Sequence, residues 1–207
     1  MTLSPDAAFW ELRFAPERFA YGTAPNVFLA AHAARVAPGQ RWFVPGDGEG
    51  RNGVFLATLG AAVDTRDLSP SGVAKSRALA AAHGVTVNAT EGDLRGWSAP
   101  AQYDGIASVF LHFLPEDRPA VHRAFVEALK PGGVLIVESY HPEHLKRQAE
   151  GSRGGPQRAD MLYTPELLAA DFAGLTAVSM HVVDETLHEG ALHEGRSWLT
   201  RAVFQKP

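Results

Sequence analysis

Between Arg41 and Ser69 the chain reads RWFVPGDGEGRNGVFLATLGAAVDTRDLS: a short apolar run, a glycine-rich turn, an apolar helical stretch, a second apolar run and a terminal aspartate. A strand, a tight turn, a helix and another strand in that order begin a doubly wound α/β sheet, and few other folds accept it. Gly46, Gly48 and Gly50 let backbone pass close to a ligand, and Asp67 offers two acceptor oxygens nearby. Together they point to a nucleoside cofactor site.

The alternation continues along the chain. Pro25 to Val36 spaces Val27, Phe28, Ala31 and Ala34 as an amphipathic helix, ended by Pro38 and Gly39. Arg41–Val44 is strand-like and Gly53–Leu59 reads as a buried helix stopped by Gly60. A second strand runs to Asp67. Ser69 and Pro70 look like the N-cap and first residue of a helix carrying Val73, Ala74, Ala78, Leu79 and Ala82 and closed by Gly84. Val85–Ala89 gives a third strand, Asp104–Leu111 a fourth, Pro115–Leu129 a helix, and Pro131-Gly132-Gly133 a turn into a fifth strand, VLIVES. After a loop, GSRGGPQ, and a short helix begun by Thr164 and Pro165, two strand-like runs at about 176–186 and 196–204 follow with no helix between them. Such a pair is antiparallel, because a parallel crossover needs about a dozen residues or more. The expectation is a doubly wound, mostly parallel sheet ending in an antiparallel C-terminal hairpin. It forms one domain over residues 1–207, with 1–38 an N-terminal helical lid segment and 39–207 the core.

Composition narrows the partners. At 207 residues, 45% of them apolar, the chain suits one packed domain. A net charge of −4 without a lysine or arginine cluster lacks the basic field that nucleic acid binding needs. With no cysteine there is neither a disulfide framework nor a thiolate nucleophile. The start, MTLSPDAAFWELRF, lacks the basic flank and apolar stretch of a signal peptide, and no run approaches the ~18 apolar residues of a membrane span. A cytoplasmic protein is expected, a monomer or weak homodimer, with a small molecule as partner and neither nucleic acid nor membrane.

The cofactor is the central question. Gly48-Glu49-Gly50-Arg51-Asn52-Gly53 satisfies G-x-G-x-x-G, and Asp67 follows Gly48 by 67 − 48 = 19 residues, so a dinucleotide fits the spacing. Against it, Asp47 and Glu49 put carboxylates where a pyrophosphate needs donors. Acid in that loop suits a cationic cofactor better.

Several motifs add up to a family likeness: Tyr21-Gly22-Thr23 with Pro25-Asn26, GDGEGRN at 46–52, Asp67-Leu68-Ser69, Gly92-Asp93-Leu94, PGG at 131–133 with Glu138, GGP at 154–156 and EGALHEG at 189–195. In these the chain resembles class I S-adenosylmethionine-dependent methyltransferases, and within them the tellurite-resistance and thiopurine methyltransferase-like group. The resemblance implies a seven-stranded, Rossmann-like sheet with a reversed last strand and S-adenosyl-L-methionine as cofactor. It also implies that Gly46, Asp47, Gly48 and Gly50 face the methionine and ribose part, that Asp67 with Leu68 takes the ribose hydroxyls, and that Asp93 meets the adenine edge with Leu94 or Val109 against the ring. One departure stands out. Many class I enzymes carry an acid two places before the first glycine, whereas this chain has Val44, then Pro45, leaving Asp47 or Glu49 to compensate.

Methyl transfer from a sulfonium needs alignment and exclusion of water, and a base only for acceptors that carry a proton. Among nine histidines, His112 follows the fourth strand, where class I enzymes present substrate-side groups, and is the first candidate for acceptor contact or proton removal; as a plain reading it caps a strand end. Tyr21, Asn26, Arg51, His193 and Arg196 are candidate substrate-side residues, Arg51 as a partner for an anionic acceptor. The bland alternatives are that Arg51 pairs with Glu49 and that the hairpin loop is solvated. Trp10, Phe14, Phe19 and Tyr21 form either an aromatic lid or a staple for a terminal helix. The pairs His141/His144 and His188/His193 lack a third partner at zinc-site spacing, so no metal is expected. The function expected is methyl transfer to a small molecule, a soft nucleophile such as a thiol or a metalloid oxyanion like tellurite. The competing readings are a NAD(P)-dependent oxidoreductase and a non-catalytic S-adenosylmethionine-binding protein.

Overall fold

The computed structural model describes residues 3–99 and 102–207. Apolar runs buried on both faces make the centre of its sheet, the pattern that parallel strands covered by helices require. The strands are β1 (Arg41–Pro45), β2 (Ala62–Asp67), β3 (Val87–Glu91), β4 (Tyr103–Val109), β5 (Leu129–Tyr140), β6 (Thr176–His188) and β7 (Glu194–Gln205), in the spatial order β3-β2-β1-β4-β5-β7-β6. The five strands from β3 to β5 are parallel, and β7 pairs antiparallel with both β5 and β6. The expected C-terminal hairpin is therefore present, and the sheet is seven-stranded with its seventh strand reversed.

Side-chain alternation divides the core. Trp42, Val44, Ile136 and Val203 point to one face, joined by Val54 and Leu56 of helix α3 (Arg51–Thr58) and by Val73 and Leu79 of α4 (Pro70–Ala82). Phe43, Leu135, Val137 and Phe204 point to the other, beneath Phe125 of α5 (Arg118–Ala128) and Leu168 of α7 (Pro165–Asp171). Ahead of β1 lie α1 (Pro5–Phe14) and α2 (Val27–Ala31), and α6 (His144–Ala149) follows β5.

Several boundaries moved for local reasons. The helix expected over Pro25–Val36 starts later, at Val27, because Asn26 caps it through a bond from Leu29 N to its Oδ1 at 2.9 Å, and it is one short α turn, Val27–Ala31, followed by a 3-10 turn at Ala33–Arg35. The fourth strand stops at Val109 rather than Leu111, since Phe110 adopts a φ of 51° that no strand accepts. The fifth begins at Leu129, passing through the PGG turn instead of starting after it.

Buried polar groups tie the N-terminal segment and the hairpin to the sheet. Glu138 on β5 is fully buried, accepts hydrogen bonds from Asn26 Nδ2 and Arg201 Nε, and is pushed up in pKa by burial against the pull of Arg201. Asn26 Nδ2 also donates to Glu189 Oε1 at 3.0 Å, and Arg201 Nη1 to Glu185 Oε1 at 2.8 Å. Removing one member of a buried pair strands the other in low dielectric, which costs about 3–5 kcal/mol, whereas exposed pairs contribute about 0–1 kcal/mol. Glu138→Ala should therefore lower unfolding free energy in urea by roughly that larger amount, while Asp160→Ala, which breaks an exposed pair with Arg158, should leave it nearly unchanged. Equal midpoints for the two variants would show that the buried cluster does not hold the fold.

Candidate active site

The parallel order reverses between β1 and β4, and a crevice opens there at the carboxyl ends of the strands. It forms a cavity of about 520 Å³, inside the roughly 300–1,000 Å³ range of small-molecule sites. Its floor is the turn after β1, where Gly46 and Gly48 have φ of 62° and 56°. A Cβ on Gly46 would fall 2.7 Å from Leu111 Cδ1, and one on Gly48 would fall 2.8 Å from the Phe14 ring. Only glycine fits either position. Gly50 plays a different part: it is the N-cap of α3 at φ 94°, packed on Ser76, and does not line the cavity.

Acidic side chains line this half. Asp67 ends β2 with Oδ2 accepting from Gly48 N and Oδ1 from Ser69 N, both at 2.9 Å, so its carboxylate is oriented by the backbone; burial raises its pKa. Asp93, Leu68, Leu94 and Val109 also line the cavity. Burial opposes ionisation of Asp93, but bonds from Arg95 hold its pKa low, with Arg95 Nε 2.8 Å from Oδ2. The loop acids divide. Glu49 accepts from Ala20 N at 2.7 Å and pairs with Lys75 at 2.8 Å, so it anchors the N-terminal segment instead of facing a ligand. Asp47 lines the cavity, with Oδ2 taking Gly53 N at 3.0 Å and Oδ1 unpartnered.

α1 forms the opposite wall through Asp6, Phe9, Trp10, Arg13 and Phe14. It is fixed by Glu11, whose carboxylate accepts from Ser69 Oγ at 2.6 Å, Ser71 N at 3.0 Å and Ser71 Oγ at 2.5 Å beside the start of α4. The far end of the cavity is aromatic. His193 lies with its ring centroid 4.2 Å from Tyr21, 4.5 Å from Phe110 and 5.6 Å from Tyr140. Burial, then the charge of Arg51, holds its pKa well below the ordinary histidine value, and Nδ1 has no partner. Tyr140 Oη is likewise buried without a partner, while Tyr21 Oη accepts from Arg13 Nη1 at 2.8 Å.

The sequence-derived candidates therefore separate. Tyr21, Arg51, His112 and His193 meet at the cavity; Asn26 and Arg196 do not. Asn26 is the buried hub between Glu138 and Glu189, and Arg196 lies 62% exposed on β7, paired with Asp184 at 3.1 Å. Arg51 pairs with Glu189 at 2.7 Å, not with Glu49. His112 has both ring nitrogens engaged, Nδ1 with Met161 O at 2.7 Å and Nε2 accepting from Tyr140 N at 3.4 Å, and burial pushes its pKa down to about 4. Phe110, Tyr140 and Met161 escaped the sequence reading. Nothing in the sequence marks a phenylalanine for left-handed backbone, and Tyr140 lay just past the expected end of its strand.

Comparison with known proteins agrees with this geometry. A family model described as a methyltransferase domain matches residues 45–133, from the end of β1 to the PGG turn. A curated relative, the cypemycin N-terminal methyltransferase of a Streptomyces species, is 29% identical over 125 residues, 58% of this chain and 51% of the relative. The match spans about half of that relative's length. Among solved structures, one described by the conversion of a disulfide bond into a thioacetal group during echinomycin biosynthesis is similar at TM-score 0.72 and 24% identity, covering 97% of this chain and 91% of that one. TehB from Haemophilus influenzae is similar at TM-score 0.73 and 17% identity, covering 90% and 64%. Residues 45–133 thus match a methyltransferase domain, a kind of domain that uses S-adenosyl-L-methionine as cofactor, and the chain shares its Rossmann-like fold with these solved structures.

Proposed function

We propose that this protein transfers a methyl group from S-adenosyl-L-methionine to a small acceptor molecule bound at the aromatic end of the cavity. The observation that carries the reading is the continuity of one cavity from the Gly46–Gly48 turn and Asp67 to the enclosed, neutral imidazole of His193. The residues fit the cofactor. Two left-handed glycines leave backbone bare where any Cβ would collide, an oriented carboxylate at Asp67 suits two vicinal hydroxyls, and Asp47 offers an unpartnered acceptor. Glycines 46 and 48, Asp47, Asp67 and Leu68 would hold its methionine and ribose parts, and Asp93, Leu94 and Val109 its adenine. When bound, the cofactor supplies a methyl group already activated on a sulfonium.

The chain's own work is then positioning and proton handling. Tyr21, Phe110 and Tyr140 enclose the acceptor end and exclude water, which favours an aligned displacement. His193 keeps an unprotonated nitrogen that can take the proton of a thiol or hydroxyl. His112, held at both nitrogens, positions Tyr140 and the Met161 turn instead. The acceptor in this reading is a soft nucleophile, a thiol or metalloid oxyanion, on the likeness of the motifs to the tellurite-resistance and thiopurine group. The reading takes the protein as a monomer or weak homodimer in the cytoplasm.

Calorimetric titration with S-adenosylhomocysteine is the direct test: the folded protein should bind it, and Gly48→Ala should weaken binding at least about tenfold, since the new Cβ must displace Phe14 from a strained backbone. No binding at millimolar ligand would sink the reading. With labelled methyl donor and a panel of thiols, metalloid oxyanions and amines, His193→Gln should slow transfer by about a hundredfold, the low end for a lost general base, at nearly unchanged cofactor affinity. Because the folded pKa of His193 is depressed, its base form persists into acid, and turnover should hold between pH 8 and 6, where a histidine base of ordinary pKa would slow about fourfold. A fourfold fall over that span would exclude this role.

A further inference from the structure

Two side chains at the aromatic end of the cavity each keep a buried polar atom that no group among the described residues satisfies, and both atoms are donors. Arg51, 7% exposed, pairs through Nη2 with Glu189 and leaves Nη1 without a partner. Tyr140, fully buried on β5, leaves Oη without one. Both residues line the cavity. A buried N–H or O–H without an acceptor is costly, and two of them kept at one end of a cavity call for a ligand that accepts from both.

Their surroundings place them beside His193. Arg51 is ion-paired at 2.7 Å with Glu189, whose N–H donates to His193 O at 2.9 Å, so the guanidinium lies against the turn that carries the imidazole. The Tyr140 hydroxyl and the His193 ring abut one glycine: a Cβ on Gly154 would collide with Tyr140 Oη and fall 3.0 Å from His193 Cδ2. Burial holds the Tyr140 phenol well above its ordinary pKa against the pull of Arg51, so the hydroxyl keeps its proton and remains a donor.

We propose that Arg51 Nη1 and Tyr140 Oη form a subsite for a carboxylate carried by the methyl acceptor, which is then a small thiol acid with its thiol facing His193 and its carboxylate between guanidinium and phenol. The proposal rests on the methyl-transfer reading above and deepens it. One charged and one neutral donor match the two oxygens and single charge of a carboxylate, and hydrogen bonds to an ionised acceptor are about twice as strong as neutral ones. The two donors and the unpartnered Nδ1 of His193 sit on three elements, α3, β5 and the β6–β7 turn, with the Tyr140 and His193 ring centres 5.6 Å apart. That spacing suits an acceptor whose charge and nucleophile are separate groups a few bonds apart. In the transfer the thiol proton passes to His193 Nδ1 and the thiol sulfur bonds to the methyl carbon as that carbon's bond to the sulfonium breaks. The electron pair of the broken bond stays on the sulfonium sulfur, and the carboxylate is only held.

Mercaptoacetate carries both groups and mercaptoacetamide replaces the carboxylate with a neutral amide, so the pair isolates the subsite. Titrated into the full chain saturated with S-adenosylhomocysteine, the acid should bind at least about tenfold more tightly than the amide. Tyr140→Phe keeps the ring and removes one oxygen; it should weaken the acid about tenfold and leave the amide and S-adenosylhomocysteine unchanged. Arg51→Gln should abolish the preference for the acid. With labelled methyl donor, Tyr140→Phe should raise KM for the acid while kcat changes little, a split that loosened structure alone does not produce. Equal affinity of acid and amide for the wild type, or an acid affinity that Tyr140→Phe leaves unchanged, overturns the subsite. So does an Arg51→Gln variant that loses S-adenosylhomocysteine as steeply as the acid, because Nη1 would then serve the cofactor. Tellurite binding in place of both thiols overturns it too, because charge and nucleophile would then be one group. If Arg51→Gln does not fold, Tyr140→Phe decides alone. Failure of S-adenosylhomocysteine to bind the wild type removes the cofactor reading and the subsite with it, whereas cofactor binding without discrimination between the thiols removes the subsite only.

Discussion

A carboxylate buried to the last atom in the middle of a sheet must be paired, and the pairing of Glu138 organises much of this molecule. Its partners come from far along the chain: Asn26 from the N-terminal segment and Arg201 from the reversed strand β7. Asn26 then reaches Glu189 in the β6–β7 loop, and Glu189 reaches Arg51 at the head of α3. One continuous set of buried polar contacts thus links the sheet centre, the N-terminal segment, the hairpin loop and the glycine turn. That set fixes where Tyr21 and His193 meet, since each lies a few residues from one of its members.

The cavity has two electrostatic characters for the same reason. Its glycine-turn half carries Asp47, Asp67 and Asp93, each with at least one oxygen held by a backbone N–H, that of Gly53 in α3 for Asp47, of Gly48 and Ser69 for Asp67 and of Arg95 for Asp93. Its other half is aromatic, with imidazoles that burial keeps neutral. Parallel strands explain the first half, because every strand's carboxyl end opens at the same edge. The hairpin supplies the second, because β6 runs parallel to β5 and its tight turn into β7 therefore sits at the same edge, with His193 on it.

Backbone demands were the most legible part of the sequence. Glycines at 46 and 48, an acid at 67 and caps at Ser69 and Thr164 each express a local rule, and the structure places them accordingly. Side-chain destinations were less legible. His112 and His193 both looked like cavity histidines, and nothing in their neighbours told which ring nitrogens would be consumed; that was settled by Met161 O and Tyr140 N, 49 and 28 residues away. Asn26 belongs to a motif with Tyr21, yet its amide faces Glu138, across a separation of 112 residues. Arg196 and His193 sit three residues apart at a hairpin end, where alternation sends Ser197 inward and Arg196 out to Asp184. Phe110 had no signal at all, since its left-handed backbone is imposed by the end of β4, where its N–H donates to Glu138 O at 2.8 Å.

The N-terminal wall shows how such a site is closed without being made part of the core. α1 leaves Leu12 79% and Phe9 53% exposed, so little apolar burial holds it. Its grip is polar: Glu11 on Ser69 and Ser71, and Glu49 with Lys75 on the backbone that follows the helix. Only Phe14 enters deeply, over Gly48 and Gly72, and it can do so because both residues lack a side chain. An element attached by a few hydrogen bonds and one ring has a lower free energy of local opening than strands packed on both faces. The glycine that exposes backbone to the cavity is thus the same glycine that seats the wall, so the shape of the glycine-turn half and the closure of the cavity depend on a single position where a methyl group has no room.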